Sequence, residues 1–226
     1  TPGFAVGYTG GEGGKFTPAQ NIHMSVPHAA GALIGTVGDL ARWTQALHAG
    51  KVVPAPLYAE MIAPTALPDG KSEPYGYGIG QGDVRGVKAI GHGGGIFGFS
   101  TDSVYLPEKD LFVAVFTNAD SGIASAGLTM NRLAAEAIGK PYPSFTETPF
   151  EAAKLEPALG LYRIDGGDTT RAFFLRDGQL YTQRSGASES RVYHAGDNRF
   201  FYGPDSLNWF ELVREPAGTY AMMMHQ

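Results

Sequence analysis

Residues 91–95, Gly-His-Gly-Gly-Gly, place four glycines around one histidine, and the chain then runs through IFGFSTDSVYLPEKDLFVAVFTN to residue 118. A strand approach so poor in side chains lets a second backbone come close. A peptide-like ligand can add to such an edge through main-chain hydrogen bonds. His92 brings a group that titrates near neutrality. The pentapeptide by itself also fits a turn or bulge with a surface histidine. Nearby aromatics carry the same two readings. Tyr75 and Tyr77, in YGYGIG, either line a pocket or pack within a strand. Of Phe97 and Phe99, one is expected to face a pocket and the other the core.

Other chemistry is missing from the sequence. No Gly-x-Ser-x-Gly occurs, so there is no nucleophile elbow; GFSTD around Ser100 fails at its last position. No lysine lies three residues after a serine, so no Ser-x-x-Lys pair exists. No Tyr-x-Asn occurs either. Ser206-Leu207-Asn208 is the only Ser-x-Asn, and it falls in an expected C-terminal strand. The six histidines show no His-x-x-x-His spacing, and the glycine-rich GYTGGEGGK lacks a following Gly-Lys-Ser/Thr, so neither a metal site nor a phosphate loop is expected.

The elements that must position the histidine follow from hydrophobic period. Residues 1–30 read as irregular. In GTVGDLARWTQALHAGK, Thr36 and Asp39 form a capping box, and Leu40, Trp43 and Leu47 mark one apolar face. With Gly50 as the terminating glycine, this predicts a helix over 37–48. A shorter helix is expected from about Pro54 to Met61. From Tyr75 the period becomes strand-like. YGYGIGQ, GVKAIGHG, STDSVYLP and LFVAVFTN predict four short antiparallel strands, with PEKD as a hairpin-length turn. A long apolar helix over roughly 123–138 must then cover one face of that sheet.

PYPSFTETPFEAAKLEP, residues 141–157, carries four prolines and reads as a linker. Beyond it come strands of four to seven residues joined by turns such as RDGQ and AGDN, with Asp-Gly a strong hairpin signal. The expected organisation is an α+β unit over 1–140, a proline-rich linker over 141–155, and an all-β meander or small open barrel over 156–226.

Composition narrows the partners. The 226 residues are 43% hydrophobic and 17% charged, with a net charge of −5 and no basic run. That argues against a nucleic-acid groove or an anionic lipid surface. There is no cysteine, hence no disulfide or thiolate metal site. No apolar stretch approaches the length of a membrane-spanning helix.

AAGALIGTVGDLARWTQALHAGKVV, then YGYGIG, then GHGGGIFGFSTDSVYLPEKDLFVAVFTN resembles, in order and spacing, the C-terminal half of the serine β-lactamase and penicillin-binding-protein-like hydrolases. The near branch holds class C β-lactamases, D-aminopeptidases and family VIII esterases. The resemblance spans about residues 5–138, and residues 156–226 look like the small β domain often appended there. The family's third motif, Lys-Thr-Gly or His-x-Gly, falls on His92-Gly93-Gly94. The Ser-x-x-Lys and Tyr-x-Asn motifs have no counterpart, so the resemblance implies the C-terminal portion of a longer, periplasmic or secreted hydrolase. It further implies that the Gly95 N–H is half of an oxyanion hole and that His92 assists proton transfer or orients a substrate carboxylate. Gly93, Gly94, Tyr75 and Phe97 would contact a small or peptide-like amide or ester. No cofactor is implied. The partner would be the N-terminal half of the same hydrolase or a second copy. Histidine in place of lysine, and Gly93 in place of threonine, argue against efficient β-lactam turnover. The rival reading is a non-catalytic module that holds a peptide or glycan at the glycine-rich edge or on the β domain.

Overall fold

The computed structural model describes residues 3–10, 14–120, 125–164, 166–204 and 206–226, and these divide into two compact units, Thr1–Pro141 and Tyr142–Gln226. The first opens with a small hairpin, β1 (Tyr8–Gly10) and β2 (Phe16–Pro18), where the sequence suggested irregular chain. Main-chain bonds between Tyr8 and both Asn118 and Asp120 tie this hairpin to the end of the central sheet. Gly11–Gly13 of the glycine-rich stretch lie outside the described residues.

Two short segments of helix, α1 (His28–Gly31) and α3 (Ala55–Met61), flank α2 (Val37–His48). The predicted box at the start of α2 is complete: the Thr36 hydroxyl accepts from the Asp39 N–H at 3.1 Å, and the Asp39 carboxylate accepts from the Thr36 N–H at 2.9 Å. Gly50, at φ +69°, ends it in the left-handed conformation that a side chain would oppose. A two-residue pair, β3 (Thr65–Ala66) and β4 (Ser72–Glu73), follows.

The four-stranded antiparallel sheet has the order β5 (Gly80–Val84), β6 (Val87–Ile96), β7 (Phe99–Leu106), β8 (Leu111–Thr117), as the period predicts. The helix α4 (Ala126–Ala137) packs across β7 and β8, burying Ala126, Met130, Ala134 and Ala135. Residues 123 and 124 of the predicted helix lie outside the described residues, and the Ser125 hydroxyl caps α4 by accepting from the Leu128 N–H at 3.2 Å. One expectation is corrected. Residues 75–79 are not strand: a Cβ on Gly76 would stand 2.2 Å from the Met61 carbonyl oxygen, and Gly78 has φ +75°. The segment is a tight turn held on the end of α3 by the Tyr77 N–H to Met61 carbonyl bond.

The second unit begins with the proline-rich stretch. Its Phe150 packs on the core, and α5 (Ala152–Leu155) buries Leu155 in it. Seven strands follow in simple meander order: β9 (Gly160–Arg163), β10 (Thr170–Arg176), β11 (Gln179–Arg184), β12 (Glu189–His194), β13 (Arg199–Phe201), β14 (Trp209–Arg214) and β15 (Tyr220–His225). The sheet curls around Phe173, Phe200 and Phe210, whose rings meet edge-on or stacked at 5.0–5.5 Å. It does not close. Its edge strands β9 and β15 line a groove of about 430 Å³, and burial there pushes the Tyr162 phenol up to about 12. Ser206-Leu207-Asn208 lies in the loop before β14, not in a strand, and its serine hydroxyl caps its own Asn208 N–H.

Candidate active site

Register fixes which way the glycine backbone faces. Ile96 and Phe99 pair across the two-residue loop Phe97-Gly98, and Val84 and Val87 pair across Arg85-Gly86. Residues that close a two-residue hairpin loop exchange both hydrogen bonds, and bonded pairs then alternate along the ladder. Counting from either loop gives the same parity: the peptide groups of Gly91, Gly93 and Gly95 face away from β7, toward the β5 side. Gly91 meets Gly80 there. Gly80 is the first residue of β5, and among the described residues no strand extends that row. Gly93 and Gly95 therefore turn their main chain to an open edge. Any Cβ on Gly91 would lie 2.1 Å from the Ser103 carbonyl oxygen, whereas one on Gly94 would meet nothing within 4 Å.

His92 stands on the face of β6 that also carries Ile90, opposite Ser103, whose hydroxyl donates to the His92 carbonyl at 3.1 Å. Ile90 joins Leu47 of α2 and Ile79 in a small core against α3. Further along the same face, Tyr105 stacks on His48 of α2 at 4.0 Å. Both imidazole nitrogens of His92 are engaged. Nδ1 lies against the carbonyl of Gly93, and Nε2 is 2.8 Å from the Tyr75 hydroxyl. Tyr75 is 43% exposed and is held by a bridge to Gly80 and by two bonds from Thr65 to its carbonyl.

The opposite face explains the glycine at 93. Asp102 pairs with Gly93, and its carboxylate lies where a side chain would begin: a Cβ on Gly93 would be 3.1 Å from it. A Cβ on Gly127, in the first turn of α4, would be 2.7 Å from the same group. Burial between strand and helix pushes the Asp102 carboxyl above the usual aspartate range, against the pull of the Ser103 N–H and of His92. Threonine at 93 would need that carboxylate to move. The sequence reading did not single out Asp102; the two-residue loop at 97–98 was the signal, since it sets Asp102 opposite Gly93.

Of the residues expected at the site, His92 and Tyr75 meet at the end of β5 with Gly93 beside them, and Gly95 lies further along the same open edge of β6. Gly94 points its Cα into open space. Phe97 sits at the hairpin tip, 54% exposed, while Phe99 packs edge-on to Phe4 at 5.8 Å. Tyr77 is turned away, its hydroxyl 3.4 Å from Glu60. Among the described residues, no three His, Asp or Glu side chains converge as a metal would require. No helix among them is long and apolar enough to cross a membrane.

Known proteins are similar to this chain in sequence and fold. Residues 2–138 fit a family model described as Beta-lactamase. A D-aminopeptidase from Cereibacter sphaeroides is 29% identical over 164 residues, which cover 72% of this chain and 31% of that protein. One from Brucella anthropi is 24% identical over 128 residues, covering 57% and 24%. This chain thus spans under a third of the length of the curated relatives it matches. Among solved structures, the octameric penicillin-binding protein homologue from Pyrococcus abyssi superposes with a TM-score of 0.53 at 20% identity, over 98% of this chain and 52% of that one; the likeness is one of fold.

Proposed function

This chain belongs to the beta-lactamase family, and we propose that it forms the substrate-edge half of a serine hydrolase that cleaves amides or esters through an acyl-enzyme. The observation that carries the reading is the open edge of β6. A scissile carbonyl laid along it would receive the Gly95 N–H, a fixed donor that needs no reorganisation as negative charge develops on oxygen. One such donor contributes about 10²–10³ in rate. The substrate's backbone would continue the row that β5 begins, and the absence of side chains at 93–95 leaves it room. His92 would stand beside the scissile bond, able to hold or release a proton at Nε2. D-Amino-acid amides are the substrate class to try first, since the relatives bear the name D-aminopeptidase.

On this reading the nucleophile comes from outside residues 1–226, which contain no Ser-x-x-Lys. The first unit favours such a partner: Leu33 is 96% exposed, Ile34 and Val26 70%, Leu57 55% and Trp43 53%. Apolar side chains left bare in one unit are a usual mark of a protein-covered surface. The partner we favour is the N-terminal half of the same type of domain.

The test joins this chain to a Ser-x-x-Lys-bearing segment from a D-aminopeptidase relative and follows D-alanine p-nitroanilide and p-nitrophenyl butyrate. We expect turnover and an acyl adduct only in the joined protein, with Gly95→Pro lowering kcat by about 10²–10³. Hydrolysis by this chain alone, or full activity in Gly95→Pro, overturns the reading. Ligand retained without turnover in the joined protein would favour a binding module instead.

A further inference from the structure

We propose that Tyr75 is a positioning residue that holds the His92 ring over the strand edge in a single tautomer, protonated at Nδ1 and bare at Nε2. The inference deepens the hydrolase reading, since it concerns the imidazole placed beside the substrate edge there.

The argument is one of donors and acceptors. The Gly93 carbonyl can only accept, so the Nδ1 that faces it must carry a proton. A neutral imidazole protonated at Nδ1 has a lone pair at Nε2, and the group 2.8 Å from that lone pair is the Tyr75 hydroxyl, which must then donate. The two bonds pull on opposite ends of the ring and fix its rotation. When the ring takes up a proton at Nε2, the same phenol oxygen becomes the acceptor, so the contact persists in both charge states.

Tyr75 is itself held firmly. Its carbonyl takes bonds from both the N–H (3.1 Å) and the hydroxyl (2.6 Å) of Thr65, and its own N–H bonds the Glu73 carbonyl at 2.7 Å. Gly76 can lie against the Met61 carbonyl only because it lacks a Cβ, and this sets where residue 75 begins. The Tyr75 ring passes over Gly80, whose Cβ would be 3.9 Å from it, so the phenol reaches His92 across the very end of β5. One consequence bears on the substrate. The Gly93 carbonyl is occupied by its neighbour's imidazole, which leaves the Gly95 carbonyl as the acceptor on that edge.

The experiment records long-range ¹H–¹⁵N spectra of the full chain labelled uniformly with ¹⁵N, at about pH 8.5, where an ordinary imidazole is neutral. The His92 resonances are identified by their loss in His92→Gln. The expected result is one tautomer, with Nδ1 protonated and Nε2 not. In Tyr75→Phe, which keeps the ring but not the hydroxyl, the two nitrogen resonances should move toward each other as tautomers mix. Backbone amide positions at Gly91 and Val104 report that the sheet is intact. A native His92 protonated at Nε2, or a Tyr75→Phe spectrum identical to the native one, overturns the proposal. Neither outcome depends on turnover, so the hydrolase reading stands or falls by its own test.

Discussion

Phe173, Phe200 and Phe210 of the second unit are fully withdrawn from water, while in the first unit Leu33 is 96% exposed and Trp43 more than half so. The two units differ in how their sheets are covered. In the second, the meander curls until its own strands cover its inner face, and the exposed large apolar residues reduce to Leu161, Val213, Met223 and Met224. In the first, α4 covers one face of a four-stranded sheet, and α2 and α3 form only a small core on the other. The contrast teaches where stability is self-contained and where, on the function proposed above, it is left to a partner. A surface built for a partner keeps its apolar groups bare until the partner arrives.

The largest expected effect tests that contrast directly. The chain has two tryptophans, Trp43 in the first unit and Trp209 in the second, so each unit carries its own fluorescent reporter. In Trp209→Phe and Trp43→Phe backgrounds, urea unfolding should give two transitions that do not coincide, the Trp209 one at higher denaturant. Phe210→Ala should destabilise the second unit by about 3–5 kcal/mol, the usual cost of emptying a buried aromatic site. Leu33→Ser should leave both midpoints within about 0.5 kcal/mol and reduce self-association in sedimentation. Coincident transitions, or a large loss in Leu33→Ser, would break the contrast.

The next effect separates two glycines that look alike in sequence. Gly91→Ala forces a methyl to within 2.1 Å of a backbone oxygen and cannot be accommodated by a side-chain movement. It should cost the first unit about 1–3 kcal/mol or more. Gly94→Ala meets nothing within 4 Å and should be tolerated by the fold. The Trp43 transition reads both. Equal costs at 91 and 94 would mean that the glycine run is generic strand chain.

Much of this was legible because local chemistry and tertiary demand agreed. The Thr36/Asp39 box, the 3.6 period and Gly50 define α2 from 37 to 48, as found, since capping is a contact within four residues. The Asp177-Gly178 loop likewise announces its hairpin. What failed depended on contacts distant in sequence. Tyr75-Gly-Tyr-Gly has a strand's alternation, yet Gly76 is small because the Met61 carbonyl presses on it, and nothing near residue 76 records that. The partner of His92 is seventeen residues upstream, on a turn that periodicity read as strand. Asp102 was hidden because a lone aspartate in a strand is ordinary until register puts it against Gly93 and Gly127.

The smallest effect is a pH dependence confined to the first unit. His48, in the last turn of α2, lies flat on Tyr105 at 4.0 Å, and its Nδ1 is 2.5 Å from the Tyr58 hydroxyl; Tyr105 in turn donates to Asp110 at 3.0 Å. Burial holds the His48 imidazole below the ordinary histidine range. Between its folded value and the unfolded value near 6.5, the folded chain therefore binds fewer protons than the unfolded one, and stability must rise with pH across that interval. The contribution is complete above pH about 6.5 and is lost as pH falls through the folded value. We expect the Trp43 transition to shift to lower urea as pH drops from about 7.5 to 5, with the Trp209 transition steadier, because His48 belongs to the first unit. His48→Gln should flatten that slope while keeping a polar partner for Tyr58. A slope that survives His48→Gln would assign the pH sensitivity to another group and leave α2 docked by packing alone.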